Sequence, residues 1–270
     1  MTTPDTPLRM ELSFELPGTP EQVWQAIATA GGISSWFLPT DLEERLGGAI
    51  CTHMGETDSP GTVTGWEPPQ RFAYEEPDWA GLAGHADDEV TPLATEFLVE
   101  AKSGGTCVVR VVSSAFGSGA DWEQEFFESM ERGWAPFFDR LRLYLSHFPG
   151  QQATQLSTDL SVASPPEVVL AVMRDDFGIE AVGQRVVHRG ISGQVERIGQ
   201  DDVLLRLTDP MPGYFGFAAF ANGDAGSVAM VSGHLFSDEA PAFVEREEAG
   251  WKSWLESLDF KSTSTTSKAP

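Results

Sequence analysis

The sequence Gly18-Thr-Pro-Glu-Gln-Val-Trp-Gln-Ala-Ile27 carries the clearest structural signal in the first half of the chain. Thr19 is a good helix N-cap, and Pro20 suits the first helical position because an N–H there would have no partner inside the helix. Val23 and Ile27 then recur at helical spacing, which gives the helix one apolar face. The stretch therefore predicts a short amphipathic helix that lies against a core.

A strand is predicted before this helix and a second helix after it. From Met10 to Leu16, apolar and polar residues alternate, which is typical of a strand with one buried face. Gly31 and Gly32 are predicted to end the first helix. The apolar segment Ile33–Pro39, stopped by a proline, predicts a second short helix.

Six strands are predicted next. Between Asp41 and Tyr74, pairs of glycine and proline divide the sequence into four short strand-like runs, the rhythm of an antiparallel meander. A hairpin follows, from Thr95 to Ser113, with its turn at Gly104-Gly105. The loop before the hairpin, residues 76–91, is long enough to be a lid or an insertion.

A long amphipathic helix is predicted from Asp121 to about Phe148. Its apolar residues recur every three or four positions and form one stripe. The stripe consists of Phe126, Met130, Trp134, Phe137, Leu141 and Leu145. The predicted order is therefore strand, two helices, six strands and one long helix.

The second half repeats the first in shortened form. Ala163–Val172 aligns without a gap with Gly18–Ile27, and Gly250-Trp251 aligns with Gly133-Trp134. The interval between these two motifs is about 28 residues shorter in the second copy, and the loss falls largely on the second helix and the strands after it. We predict a complete domain at residues 8–148, a shortened copy at residues 153–260 and a disordered tail at residues 261–270.

Four stretches carry a resemblance to a known family. They are Thr19–Ile27; Trp36-Phe37 before Pro39; Gly61–Phe72; and Gly133-Trp134 followed by Phe138, Asp139 and Leu141. In this order they resemble the SRPBCC or START-like superfamily, which includes birch-pollen-allergen-like proteins, and within it the branch of activators of the heat-shock-protein-90 ATPase. The resemblance covers nearly all of residues 8–148. It implies an α+β helix-grip fold, in which a curved antiparallel sheet wraps around a long C-terminal helix, followed here by a smaller degenerate copy.

The resemblance also implies where a ligand would bind. In a helix-grip fold the gap between sheet and helix becomes a cavity, lined by inward strand positions and one helix face. The alternatives are that these side chains fill a solid core and that a histidine among them lies at the surface. Their many rings, taken with the resemblance, favour a small hydrophobic ligand, aromatic or polyketide-like. The predicted ligand-binding residues are Trp36, Phe37, His53, Phe72, Tyr74, Phe97, Val109, Phe126, Met130, Trp134 and Phe137.

Three functions are compatible with the predicted fold and cavity. The leading one is a non-catalytic carrier or sensor of the hydrophobic molecule. An enzyme similar to polyketide cyclases or dehydratases is the alternative, with Asp41, His53 or Glu96 as acid–base groups. A chaperone-linked protein-interaction module is the third. We predict no catalytic residue, metal site or cofactor, because no nucleophile motif is present and no histidines or cysteines recur with carboxylates at ligand spacing.

Composition limits the partners. The formal net charge of −24 opposes binding to nucleic acid or to anionic lipid, and the sequence contains no concentrated basic patch. No apolar run is long enough to span a bilayer and no signal peptide is recognisable, so a cytoplasmic location without membrane insertion is expected. Cys51 and Cys107 are expected to be reduced. The second copy is expected to stabilise the protein or to form a homodimer.

Overall fold

The computed structural model of the protein describes residues 5–55 and 57–261. The chain divides into two units, residues 1–152 and residues 153–270. Apart from Lys261, the predicted disordered tail lies outside the described residues. The described part of the chain contains no helix that is long and apolar enough to cross a membrane.

The first unit is an antiparallel sheet with a long helix at its end. Its strands are β1 (Thr6–Pro17), β2 (Thr40–Leu42), β3 (Ala49–Met54), β4 (Thr57–Glu67), β5 (Arg71–Glu76), β6 (Leu93–Lys102) and β7 (Thr106–Gly117). Its helices are α1 (Pro20–Ile27), α2 (Ala30–Ser34), α3 (Trp79–Leu82) and α4 (Asp121–His147). The strand order across the sheet is β1-β7-β6-β5-β4-β3-β2. Apart from the added helix α3, this is the predicted order of elements, and the helix-grip prediction is confirmed.

The start of α1 follows from its capping residues. The Thr19 hydroxyl accepts a hydrogen bond from the backbone N–H of Gln22 at 3.4 Å, and the Gln22 side chain accepts one from the N–H of Thr19 at 2.9 Å. This reciprocal capping box satisfies two N–H groups that the helix itself leaves unpaired. The buried face of α1 is formed by Val23, Trp24, Ala26 and Ile27.

The second helix begins earlier than predicted. The structure places α2 at Ala30–Ser34 rather than at Ile33–Pro39. Thr29 caps it, because its hydroxyl accepts a hydrogen bond from the N–H of Gly32 at 3.0 Å. A Cβ at Gly32 would lie 1.9 Å from the carbonyl oxygen of Gln25. This glycine therefore permits α1 and α2 to pack closely and does not end a helix.

The long helix α4 packs against the sheet through aromatic rings. Phe138 of α4 stacks on Phe14 of β1, with ring centroids 3.8 Å apart and ring planes 9° from parallel. Trp134, one helical turn earlier, meets Phe97 of β6 edge to face at 5.8 Å. Rings from one face of α4 thus contact strands at two places in the sheet.

The second unit has the same plan with fewer elements. It consists of β8 (Thr154–Val162), α5 (Pro166–Phe177), β9 (Arg185–His188), β10 (Ile191–Ile198), β11 (Asp202–Asp209), β12 (Gly213–Ala221), a 3-10 turn (Gly223–Ala225), β13 (Ser227–Leu235) and α6 (Ala240–Ser257). The strand order is β8-β13-β12-β11-β10-β9. One helix stands where the first unit has two, and the sheet has one strand fewer among the described residues. The prediction of a shortened copy of the fold is confirmed.

Candidate functional site

A cavity of about 190 Å³ lies between α4 and strands β3 to β6 of the first unit. We call it the main cavity. Most of its lining is apolar, and three hydroxyl groups of serine or threonine, one tyrosine and one carboxylate complete it. The lining residues are Phe37, Thr52, Met54, Ser59, Tyr74, Glu76, Leu82, Leu93, Thr95, Phe126, Met130, Gly133, Trp134 and Phe137.

A second space of about 20 Å³, here called the small cavity, shares part of this lining. At that volume it has room for about one water molecule. It is lined by Ile27, Ile33, Trp36, Phe37, Thr40, Ile50, Thr52, Phe72, Tyr74, Phe97 and Trp134. The main cavity is therefore the candidate ligand-binding site.

Strand and helix periodicity explain which side chains reach the main cavity. Successive strand residues point to opposite faces, so Tyr74 and Glu76 share the face of β5 that carries Phe72. On α4, Met130 follows Phe126 by about one helical turn and Phe137 follows Met130 by about two, so the three side chains lie on one helix face. The short helix α3 adds Leu82 from the segment that the sequence suggested as a lid.

The rings at the helix side of the main cavity pack on one another. Phe37 stacks on Trp134 with centroids 5.6 Å apart and planes 11° from parallel, and it meets Phe137 edge to face at 4.5 Å. Trp134 is only 7% exposed, whereas Phe37 and Phe137 are half-buried. This group therefore offers flat ring faces and edges to a ligand.

A carboxyl group lies in the strand side of the lining. The hydroxyl of Ser59 donates a hydrogen bond to Oε1 of Glu76 at 2.5 Å. Burial raises the pKa of Glu76, and the hydrogen bond from Ser59 opposes this rise only in part. Glu76 is thus held in surroundings that favour its protonated form more than water does.

Tyr74 and Thr95 supply the neighbouring hydroxyl groups. Burial raises the pKa of Tyr74 well above its ordinary value, so the phenol stays protonated. Thr95 is directly opposite Tyr74 in the β5–β6 ladder, and its side chain opposes this rise in pKa only in part. Thr95 in turn shares a hydrogen bond of 3.1 Å with Ser113 on β7. These contacts fix the orientation of the polar groups beside Glu76.

The indole N–H of Trp134 is a buried donor without an acceptor among the described residues. Buried N–H groups are normally hydrogen-bonded, and an unsatisfied one costs about 1 to 3 kcal/mol. Trp134 lines both cavities, but its indole nitrogen has almost no accessible surface, so an oxygen atom of a ligand would reach this donor only after neighbouring side chains move.

The structure brings most of the predicted ligand-binding residues together around the cavities. Those that line one or both of them are Trp36, Phe37, Phe72, Tyr74, Phe97, Phe126, Met130, Trp134 and Phe137. Val109 lines neither. It is fully buried on β7, directly opposite Phe14 of β1, whose ring is covered by Phe138. At this end of the sheet the helix packs directly on the strands, so the assignment of Val109 to the cavity is corrected.

His53 lies on the outer face of the sheet, which corrects its assignment to the cavity. Its neighbours on β3, Thr52 and Met54, line the main cavity, so His53 points the other way. Its ring nitrogens contact Oδ1 of Asp58 at 2.7 Å and Oδ2 of Asp41 at 3.1 Å. The hydrogen bonds to Asp58 and then to Asp41 raise the pKa of His53.

The acid–base groups considered from sequence alone are not in the cavity lining. Asp41 is bound to His53 on the outer face, and Glu96 is bound to Nε of Arg71 at 2.5 Å. Sequence reasoning missed the polar lining, above all Glu76 and Thr95. The missed signal was strand alternation, because Glu76 follows Tyr74 by two positions and Thr95 precedes Phe97 by two.

Comparison with known proteins finds one family model that matches part of the chain. Residues 17–146 match the family described as Activator of Hsp90 ATPase homolog 1-like protein. No curated protein matches the chain.

Several solved structures resemble the chain. A protein from Mesorhizobium loti, MLL2253, is 17% identical with a TM-score of 0.46, over 52% of this chain and 98% of that one. The Aha1 dimer from Colwellia psychrerythraea is 18% identical with a TM-score of 0.42, over 52% and 97%. The di-domain ARO/CYC BexL from the BE-7585A biosynthetic pathway is 13% identical with a TM-score of 0.43, over 92% and 95%.

Proposed function

We propose that the main cavity of the first unit binds a small hydrophobic, aromatic or polyketide-like molecule, in a part of the chain that matches the family described as Activator of Hsp90 ATPase homolog 1-like protein. In this proposal the protein is a carrier or sensor. The observation that carries it is the cavity itself, about 190 Å³ with a lining dominated by aromatic and aliphatic side chains. Such a lining disfavours water and favours an apolar occupant.

The size of the cavity bears on the size of the ligand. An apolar cavity of about 150 Å³ is known to hold benzene. The main cavity is somewhat larger, and Gly133 and Phe137 of its lining are at least partly exposed to solvent. One or two fused rings therefore fit inside, and a longer ligand would extend through this exposed side.

The polar groups bear on the chemistry of the ligand. The indole N–H of Trp134 needs an acceptor, and the Glu76 carboxyl lies among hydroxyl groups on the strand side. A carbonyl or hydroxyl oxygen on the ring system would satisfy these groups. A carboxylate-bearing ligand is disfavoured, because its charge would be buried near Glu76 in a protein whose net charge is −24. The proposed ligand is thus a neutral, oxygenated aromatic.

Binding to the full-length chain tests this proposal. Calorimetric titration with a hydroxynaphthalene is expected to show saturable binding at one site, and titration with decanoate of similar size is expected to show none. Native mass spectrometry of protein taken from its host, followed by extraction, should yield a conjugated aromatic. Equal binding of both probes, or of neither, together with an empty native protein, would contradict the proposal.

Gly133 offers a matched pair of variants at the exposed part of the lining. A Cβ added there meets nothing within 4 Å, so Gly133→Ala should stabilise α4 by about 0.5 to 1 kcal/mol and leave binding unchanged. Gly133→Trp places a large ring beside the entrance and is expected to weaken binding at least tenfold. Titration of both variants checks this, and unchanged affinity in a folded Gly133→Trp would place the ligand elsewhere.

A second candidate function is an acid–base enzyme of the polyketide cyclase or dehydratase kind. The specific observation in its favour is Glu76, a partly buried carboxyl with a raised pKa in the cavity lining, beside Tyr74. A carboxyl of raised pKa keeps its proton to a higher pH than it would in water and can deliver that proton to a bound oxygen. Catalysis would then reside in Glu76 and not in Asp41, His53 or Glu96.

Replacing Glu76 with glutamine distinguishes the two candidates. The amide keeps the shape of the carboxyl and can still accept the Ser59 hydrogen bond, but it cannot transfer a proton. If the protein is an enzyme, turnover of hydroxylated polyketide substrates should fall at least 100-fold while binding persists. If the protein is a carrier, neither form turns over the substrate. Product analysis by mass spectrometry measures both outcomes.

A further inference from the structure

A group of metal-ligating side chains lies on the outer face of the first unit, on the opposite side of β3 from the main cavity. Its members are Cys51 and His53 on β3, Asp58 on β4 and Asp41 on β2. Ligand atoms of Cys51, His53 and Asp58 all lie within 4.8 Å of one another. Thiolate, imidazole and carboxylate are the three side-chain ligands that Zn²⁺ takes in proteins.

Strand pairing assembles this group. His53 is directly opposite Asp58 in the β3–β4 ladder, and Cys51 is directly opposite Asp41 in the β2–β3 ladder. Since Cys51 and His53 are two residues apart on one strand, their side chains share the outer face. The sequence does not reveal such a group through a fixed ligand spacing, because two of its four members come from neighbouring strands.

The geometry requires little rearrangement for an ion to enter. Nδ1 of His53 is 2.7 Å from Oδ1 of Asp58. Two ligand atoms bound to Zn²⁺ in tetrahedral geometry lie roughly 3.3 Å apart when each bond is about 2.0 to 2.1 Å long. A rotation of two side chains therefore makes room. Asp58 is 61% exposed, so it can move without disturbing the core.

Asp41 occupies the position of a supporting carboxylate. Its Oδ2 is 3.1 Å from Nε2 of His53, the nitrogen that faces away from Asp58. Metal-binding histidines usually donate their second N–H to a carboxylate, which fixes the tautomer and the ring orientation. With Nε2 held in this way, Nδ1 is presented toward Asp58 as a ligand.

From this arrangement we infer a binding site for a zinc-class divalent cation, with Cys51 Sγ, His53 Nδ1 and Asp58 as ligands, Asp41 as the residue that positions the histidine, and a fourth coordination position open to solvent. The ligand set of one soft thiolate, one imidazole and one carboxylate suits Zn²⁺ or Co²⁺ better than Ca²⁺ or Mg²⁺, which prefer oxygen ligands alone. The inference does not depend on the function proposed for the main cavity.

Cobalt titration of the full-length chain tests the site, because a bound thiolate gives Co²⁺ a near-ultraviolet charge-transfer absorption that carboxylates cannot give. One Co²⁺ per chain is expected to develop this absorption, and Zn²⁺ should displace it and raise the Tm. Cys51→Ser should abolish the absorption, and Asp58→Asn should weaken Co²⁺ binding at least tenfold. Circular dichroism checks that both variants are folded.

His85→Ala is the matched control. His85 also pairs with an aspartate, Asp88 at 3.1 Å, on an exposed loop, but neither residue belongs to the ligand group described above. Its loss should leave the cobalt absorption unchanged. Co²⁺ bound without charge-transfer absorption would mean binding by surface carboxylates only and would overturn the inference. So would an absorption that survives in folded Cys51→Ser.

Discussion

Replacing Trp134 with alanine is expected to weaken binding of an oxygenated aromatic ligand by about 1 to 3 kcal/mol, roughly 5-fold to 150-fold in Kd. The indole lines both cavities, stacks on Phe37 and meets Phe97 edge to face. The same change removes a buried side chain that is only 7% exposed, so the free energy of unfolding should also fall, by about 3 to 5 kcal/mol. Calorimetric titration and urea denaturation measure the two effects separately.

Two further variants separate binding from stability. Leu141→Ala removes a fully buried side chain from the same helix that lines neither cavity described here, so it should destabilise the protein without weakening binding. Trp134→Phe keeps a ring but removes the indole N–H, so it should bind a purely hydrocarbon ring as before and an oxygenated ring less well. Wild-type affinity in a folded Trp134→Ala variant would show that the main cavity is not the binding site.

The order of elements could be predicted because local signals and burial agree along the first unit. Thr19 and Pro20 fix the start of α1, and alternation from Met10 to Leu16 fixes the buried face of β1. The prediction that Gly32 ends a helix was wrong. A glycine is required there because the carbonyl oxygen of Gln25 approaches too closely for a Cβ. That contact is made by packing two helices together, and no local pattern encodes it.

The sequence could predict only those lining residues that strand alternation or helix spacing directs inward. Rings such as Phe72 and Trp134 were found because both periodicities point them inward. His53 was wrongly assigned to the cavity because the inward face of β3 carries Thr52 and Met54. The polarity and size of these two residues do not identify that face as the buried one. Glu76 was overlooked because a carboxylate at a strand end normally indicates the surface. Its burial results from the neighbouring elements that close over it.

The chemistry of the cavity also depends on what holds α4 in place, and Glu123 is central to this. The carboxylate of Glu123 is fully buried at the start of α4. Its Oε1 accepts hydrogen bonds from the N–H and hydroxyl of Ser118, and its Oε2 accepts from the N–H groups of Gly119 and Ala120. Burial alone would raise the pKa of Glu123, but these hydrogen bonds outweigh it and lower the pKa below its ordinary value.

Glu123→Ala is therefore expected to lower the free energy of unfolding by about 3 kcal/mol at neutral pH, because several donors lose their acceptor at once. Glu123→Gln should lower the free energy of unfolding by less, because the amide oxygen of glutamine can still accept hydrogen bonds from some of these donors. The pH dependence follows from the sign of the shift. A carboxyl whose pKa is lower in the folded state contributes stability that is fully present above its unfolded pKa, near 4.5, and is lost as the pH falls through the folded pKa. The stability difference between wild type and Glu123→Gln should thus be constant at neutral pH and shrink below pH 4.5. Urea denaturation across this range measures it, and a difference that stays constant in acid would show that the Glu123 charge does not hold the start of α4.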